Sequence, residues 1–225
     1  MATSQFGVGG HGMLLAPTSP CTVRQDDDGS LKITAPGKGS LELTLGTNPA
    51  TDAVHQSVET GRTQLVFGPG GPTIVCPVGL DLSSLLLQVD VGLPASPWML
   101  LAPGAWLQFP SGMTLFSGDA PFFELHLGDD PSLGAFISFE PREGEVDELV
   151  IAAAPYQRPD GTGPHWSQFA YEVNGAAWRQ RIYVLPYGEG AVVLMKAQAP
   201  LSKTEALFER ADVIARSFEP LDDPE

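Results

Sequence analysis

In SLELTL (40–45), Leu41, Leu43 and Leu45 fall on one side of an extended chain and Glu42 and Thr44 on the other. That alternation is the period of a half-buried strand. LKITA (31–35) precedes it across PGKG, so the two read as a hairpin. The pattern recurs. TQLVFG (63–68) and PTIVCPV (72–78) flank GPGG, and SSLLLQVDV (83–91) is a further strand. Helical spacing is weak in this half, with TDAVHQSVETG (51–61) its one candidate. Residues 1–30, with GVGGHG, APTSP and the run Asp26-Asp27-Asp28-Gly29, read as irregular. After PASPW and LAPGAW, alternation resumes in FFELHLG (122–128) and GAFISFEP (134–141), joined by DDPSL. In EVDELVIAAAPY (145–156), Val146, Leu149, Val150 and Ala153 take helical spacing, so a helix is predicted there.

The last third is patterned most clearly. GTGPH (161–165) reads as a chain break. HWSQFAYEV (165–173) then turns through Asn174-Gly175, the strongest short hairpin signal, into AAWRQRIYVLP (176–186). A second turn, PYGEG, returns the chain as AVVLMKAQA (191–199). Ser202 and Glu205 form a capping box, predicting a helix start. Leu207, Ala211, Ile214 and Phe218 make one apolar stripe on that helix, Glu209, Arg210, Asp212 and Arg216 lie opposite, and Pro220 ends it. Laid across the meander, the stripe buries side chains each worth roughly 1.5–3 kcal/mol.

Composition narrows the class of protein. Of 225 residues, 43% are hydrophobic and 17% charged, which describes a globular chain. The 25 Gly and 21 Pro favour many turns and short strands over long helices. A net charge of −15, from 27 acidic and 12 basic residues, argues against nucleic acid, whose phosphates call for clustered cations. It also argues against an anionic membrane surface, and it would attract a basic protein. No apolar run approaches the roughly 18 residues of a membrane span, and the N-terminus lacks the charged and apolar regions of a signal peptide. Cytoplasmic location is the resulting expectation, with Cys21 and Cys76 as free thiols.

Two stretches resemble a known family. YEVNGAAWRQ, RIYVLPYGEGAVVLMKAQAP and a closing helix ending in IARSF, together with the earlier LQFPSGMTLFSG, are similar to the PsbP-like fold family over about residues 105–220. That family includes an extrinsic subunit of photosystem II, a Ran-binding nuclear-import factor, and bacterial domains that chaperone secreted effectors or sit in lipoproteins. The resemblance implies an antiparallel sheet flanked by helices and a protein-binding role without catalysis. The family has no shared catalytic motif, so no functional residue carries over. The expected organisation is therefore an α+β chain: an irregular segment over 1–30, a β-rich region over 31–104, and a PsbP-like domain over 105–221.

Candidate chemistry is sparse. Gly7, Gly9 and Gly12 match G-x-G-x-x-G, but with no strand ahead and two prolines after, a flexible N-terminus is the better reading. The Asp26–Asp28 run lacks the alternate spacing and terminal Glu of a calcium loop, so a solvated turn is expected. His11, His55, His126 and His165 are not spaced with one another, or with Cys, as metal ligands. No G-x-S-x-G nucleophile motif occurs, and no cofactor is expected. Aromatic side chains remain, and Trp and Tyr anchor protein interfaces. His165, Trp166, Tyr187 and Trp98 are the candidate partner-binding residues. The favoured function is a non-enzymatic adaptor or chaperone, most concretely of bacterial type and for a secreted effector. It would hold another protein, basic or hydrophobic, by a sheet edge or sheet face. The alternatives are a structural part of a phage-like or secretion assembly, and an enzyme in which Glu124, His126 and His165 converge.

Overall fold

A computed structural model of the chain describes residues 7–10, 13–17, 22–26, 30–35, 39–45, 55–59, 62–66, 72–77, 85–89, 99–102, 105–117, 123–143, 159–163, 165–188 and 191–220. These residues build antiparallel sheet and one α-helix, a sheet-rich α+β class. The chain divides into two units, Met1–Pro103 with Phe109–Pro121, and Gly104–Gln108 with Phe122–Glu225.

Strands are numbered in chain order through both units. The N-terminal unit contains β1 (Gly7–Gly10), β2 (Met13–Pro17), β3 (Thr22–Gln25), β4 (Leu31–Ala35), β5 (Gly39–Leu45) and β6 (His55–Glu59). It also contains β7 (Arg62–Val66), β8 (Pro72–Pro77), β9 (Leu85–Val89), β10 (Met99–Ala102) and β12 (Met113–Ser117). One ladder runs β12-β3-β4-β5-β8-β7-β6 and another β10-β1-β2-β9, every pairing antiparallel. The alternating SLELTL pairs with LKITA as its pattern predicts, Leu31 opposite Leu43 and Ile33 opposite Leu41. Val23, Leu31, Ile33, Phe109, Met113 and Leu115 are buried.

Two expectations are corrected in this unit. The stretch read as irregular over 1–30 contains β1, β2 and β3, and the segment with weak helical spacing contains the strand His55–Glu59. Pairing with neighbouring strands outweighs local preference at both places. Gly7 and Gly9 lie in β1, which turns back into β2 and not into a helix, so they do not form a dinucleotide loop.

The C-terminal unit contains β11 (Ala105–Gln108), β13 (Phe123–Leu127), β14 (Phe136–Glu143), β15 (Gly161–Gly163), β16 (Trp166–Val173), β17 (Ala176–Gly188), β18 (Ala191–Pro200) and β19 (Glu219–Pro220). Helix α1 spans Thr204–Ser217. Six strands form the antiparallel ladder β15-β16-β17-β18-β14-β13, and β11 pairs with β19. Asn174 (φ 51°) and Gly175 (φ 80°) supply the two left-handed residues that a two-residue hairpin requires. Residues opposite one another share a face, so Ile137, Ala197 and Arg181 form one row and Phe139, Met195 and Tyr183 the next. This is the face on which α1 lies, its Leu207, Phe208, Ala211 and Ile214 all buried. The opposite face carries a second cluster, Phe169, Ile182, Val192 and Leu194 with Val184 packed against it.

Three sequence expectations change here. GTG of GTGPH is an edge strand, not a break. The capping box does not form: Leu201–Lys203 make a single 3-10 turn, α1 starts at Thr204, and the Thr204 hydroxyl donates to the Pro200 carbonyl at 3.2 Å. The helix ends at Ser217 without waiting for Pro220, which pairs with Ala105 in β19. The helix expected over 145–156 lies outside the described residues. Of LQFPSGMTLFSG, Leu107 and Gln108 belong to the C-terminal unit and the remainder to the N-terminal one.

Candidate functional site

A dense polar cluster of the C-terminal unit joins α1 to the sheet. Arg181, in β17, has a side chain only 15% exposed. Its guanidinium carbon lies 4.1 Å from the centre of the Trp166 ring and 4.2 Å from that of Phe208. A planar, weakly hydrated cation suits this slot between two rings, and a lysine would not fill it. Nη1 donates to Asp212 of α1 at 3.4 Å and to the Tyr183 hydroxyl at 3.3 Å, and Nη2 donates to Gln168 at 3.1 Å. Tyr183 donates to Asp212 at 2.6 Å. Burial, and then this bond to a carboxylate, push the Tyr183 pKa well above the ordinary tyrosine range. Gln168 extends the chain of bonds to Asp160 at 3.3 Å. Gly163 completes the wall, because a Cβ there would come within 2.4 Å of the Trp166 ring. The cluster fixes the helix to the sheet by charge and ring stacking, with both terminal guanidinium nitrogens of Arg181 bonded to protein groups and its buried Nε left without a hydrogen bond.

Of the predicted partner-binding residues, Trp166 is half-buried with Arg181 over its ring. His165 is exposed beside it, and its carbonyl accepts from the Val184 N–H at 3.0 Å. Tyr187 is half-buried near the end of β17, four residues beyond Tyr183, which pairs with Trp166. Trp98 lies outside the described residues. Glu124 and His126 do meet, Nε2 to Oε2 at 2.9 Å, with the His126 ring stacked 5.3 Å from that of Phe136. His165 is not with them. It continues β16, and strands β17, β18 and β14 lie between it and β13, four strand spacings or roughly 19 Å. Among the described residues no three His, Cys, Asp or Glu side chains gather as a metal site requires. Likewise, no helix there is long and apolar enough to cross a membrane.

Sequence reading missed a second feature, at the hairpin end of the sheet. Tyr171 and Trp178 are directly opposite, their ring centres 6.2 Å apart. Trp178 also faces Pro200 across β18 and covers Gly134, where a Cβ would come within 2.4 Å of the ring. Three large apolar side chains in this region are exposed: Val173 at 39%, Leu133 at 41% and Leu201 at 54%. Beside them, β16 outruns its edge neighbour. β15 covers only Trp166–Gln168, and Phe169–Val173 have β17 on one side and no strand on the other among the described residues. The clue lay in Pro159, which has no N–H with which to continue β15 along that edge. No protein-family model matches the chain, and a search of curated proteins likewise finds no match.

Proposed function

We propose that the protein is a non-enzymatic adaptor or chaperone that holds a segment of another protein against the sheet of the C-terminal unit. The supporting observation is the edge of β16 at Phe169–Val173, which no strand covers among the described residues, next to the exposed apolar residues of the hairpin end. A strand edge offers main-chain hydrogen bonds to any extended chain, and neighbouring apolar side chains supply the rest of the binding energy. The reading agrees with the resemblance of residues 105–220 to PsbP-like proteins. A cytoplasmic chaperone of a secreted effector is its most concrete form, with an acidic surface assisting encounter with a basic client. The test is capture of partners from the native host by the tagged full-length chain, followed by light scattering and amide hydrogen exchange on the purified complex. A stoichiometric partner that protects residues 169–178 is the expected result. A chain that associates only with itself, as a large oligomer, would favour the structural-component reading instead.

A further inference from the structure

We infer that the open edge of β16 takes an extended segment whose side chains alternate between apolar and basic. This rests on the protein-binding reading and adds to it the chemistry of what is bound. The register decides which groups are available. Val173 and Ala176 flank a two-residue turn and so form a hydrogen-bonded pair. Phe169, Tyr171 and Val173 therefore bond to β17, and Gln168, Ala170 and Glu172 turn their N–H and C=O groups outward. The Gln168 carbonyl already accepts from the Asp160 N–H at 2.9 Å. Ala170 and Glu172 are left, both exposed and, among the described residues, without a strand beside them.

Side chains then specify the guest. A residue of the incoming strand opposite Tyr171 lies on the face of Tyr171, Val173 and Trp178, which calls for an apolar group. Its neighbour opposite Glu172 lies on the other face. There Glu172 is exposed and its cross-strand partner is Ala177, which brings no charge to it. A Lys or Arg at that position is complementary, and the net charge of −15 favours its approach. A second copy of the chain fits poorly. Antiparallel pairing about Tyr171 would place its Asn174-Gly175 turn opposite Gln168 and Ser167, which β15 already pairs through Gly161 and Thr162, and would unite two strongly acidic chains.

The experiment uses the full-length chain and a labelled eight-residue peptide of alternating Val and Lys. A peptide of the same composition with four Val followed by four Lys is the control. Fluorescence anisotropy should show the alternating peptide binding at least about tenfold more tightly than the control, because only it can place its apolar groups on one face. Ala170→Pro removes one outward N–H at an edge, where proline is tolerated, and should weaken binding about tenfold. Glu172→Lys leaves the backbone unchanged and should also weaken binding, with its salt dependence reduced. The inference fails if the alternating peptide does not bind, if both peptides bind alike, or if neither substitution matters. It also fails if the free chain is a dimer that Ala170→Pro converts to monomer. A protein partner that binds both variants undiminished would overturn the edge assignment while leaving the adaptor reading intact.

Discussion

Asp212→Ala is expected to destabilise the C-terminal unit by about 2–3 kcal/mol. The carboxylate has two partners of unequal weight. Its contact with Arg181 is 3.4 Å long and Asp212 is 40% exposed, so solvent screening holds that pair to about 0.2–1 kcal/mol. The bond from Tyr183 is short, at 2.6 Å, and comes from a residue only 2% exposed. A hydrogen bond to a charged group contributes about 1.5–3 kcal/mol, and losing the acceptor strands a buried hydroxyl proton. Arg181 loses the carboxylate paired with it, and its two rings and Gln168, all uncharged, limit the further cost. Urea unfolding followed by tryptophan fluorescence measures the loss, since Trp106, Trp166 and Trp178 all belong to this unit. Asp212→Asn, which keeps an acceptor without the charge, should fall between the two. Combining Tyr183→Phe with Asp212→Ala should cost less than the two singles added together, by about 1.5 kcal/mol. If Asp212→Ala lowers stability by under about 0.5 kcal/mol, the cluster does not hold the helix in the way its distances imply.

Tyr183 also carries a pH signature. Its raised pKa means the neutral phenol is favoured in the folded state, a contribution complete below the ordinary value of 10.0 and lost as the pH climbs above it. Urea midpoints from about pH 9 to 12 should fall more steeply for the wild type than for Tyr183→Phe. Glu140 works in the opposite sense. Its hydrogen bond from Lys196, ahead of its other interactions, lowers its pKa below 4.5, so its contribution holds above that value and is lost as the pH falls through the lowered one. Lys196→Met should flatten that part of the acid unfolding curve. Gly134→Ala should cost about 2 kcal/mol or more in thermal unfolding, because φ is 69° and the new Cβ meets the Trp178 ring at 2.4 Å.

What could be read from the sequence was whatever a repeating local period encodes. Leu41, Leu43 and Leu45 announced a strand, Asn174-Gly175 a hairpin, and Leu207, Ala211 and Ile214 the buried side of a helix. Local signals failed where a neighbour in space outbid them. Ser202 and Glu205 make a good capping box, yet Pro200 begins a 3-10 turn that takes in Ser202 and moves the helix start to Thr204. Gly161 and Gly163 look like punctuation, yet they pair with Gln168 and Trp166 and make room for the indole of Trp166. Trp166 itself stood out as an aromatic beside a strand, but the Arg181 cation over its ring is supplied by the neighbouring strand β17, and Phe208 comes from a helix some 40 residues further on. No short-range pattern encodes that stack. The β16 edge was invisible for a related reason. An edge is defined by where a neighbour stops, and only the register shows that β15 stops at Gln168.

The interleaving of the two units sets a timetable for synthesis. Gly104–Gln108 belongs to the C-terminal unit, yet the chain then returns to the N-terminal one for Phe109–Pro121. The partner of Gln108 is Ser217, whose hydroxyl accepts its N–H at 2.8 Å across 109 residues of sequence. At about 5–20 residues per second on the ribosome, Gln108 is exposed for roughly 5–20 s before that partner exists. A nascent chain halted near residue 104 also lacks β12, the neighbour of β3. The shortest continuous piece that completes either unit therefore carries a segment of the other, and a gene cut at residue 104 would leave the N-terminal fragment without β12 and the C-terminal fragment carrying it.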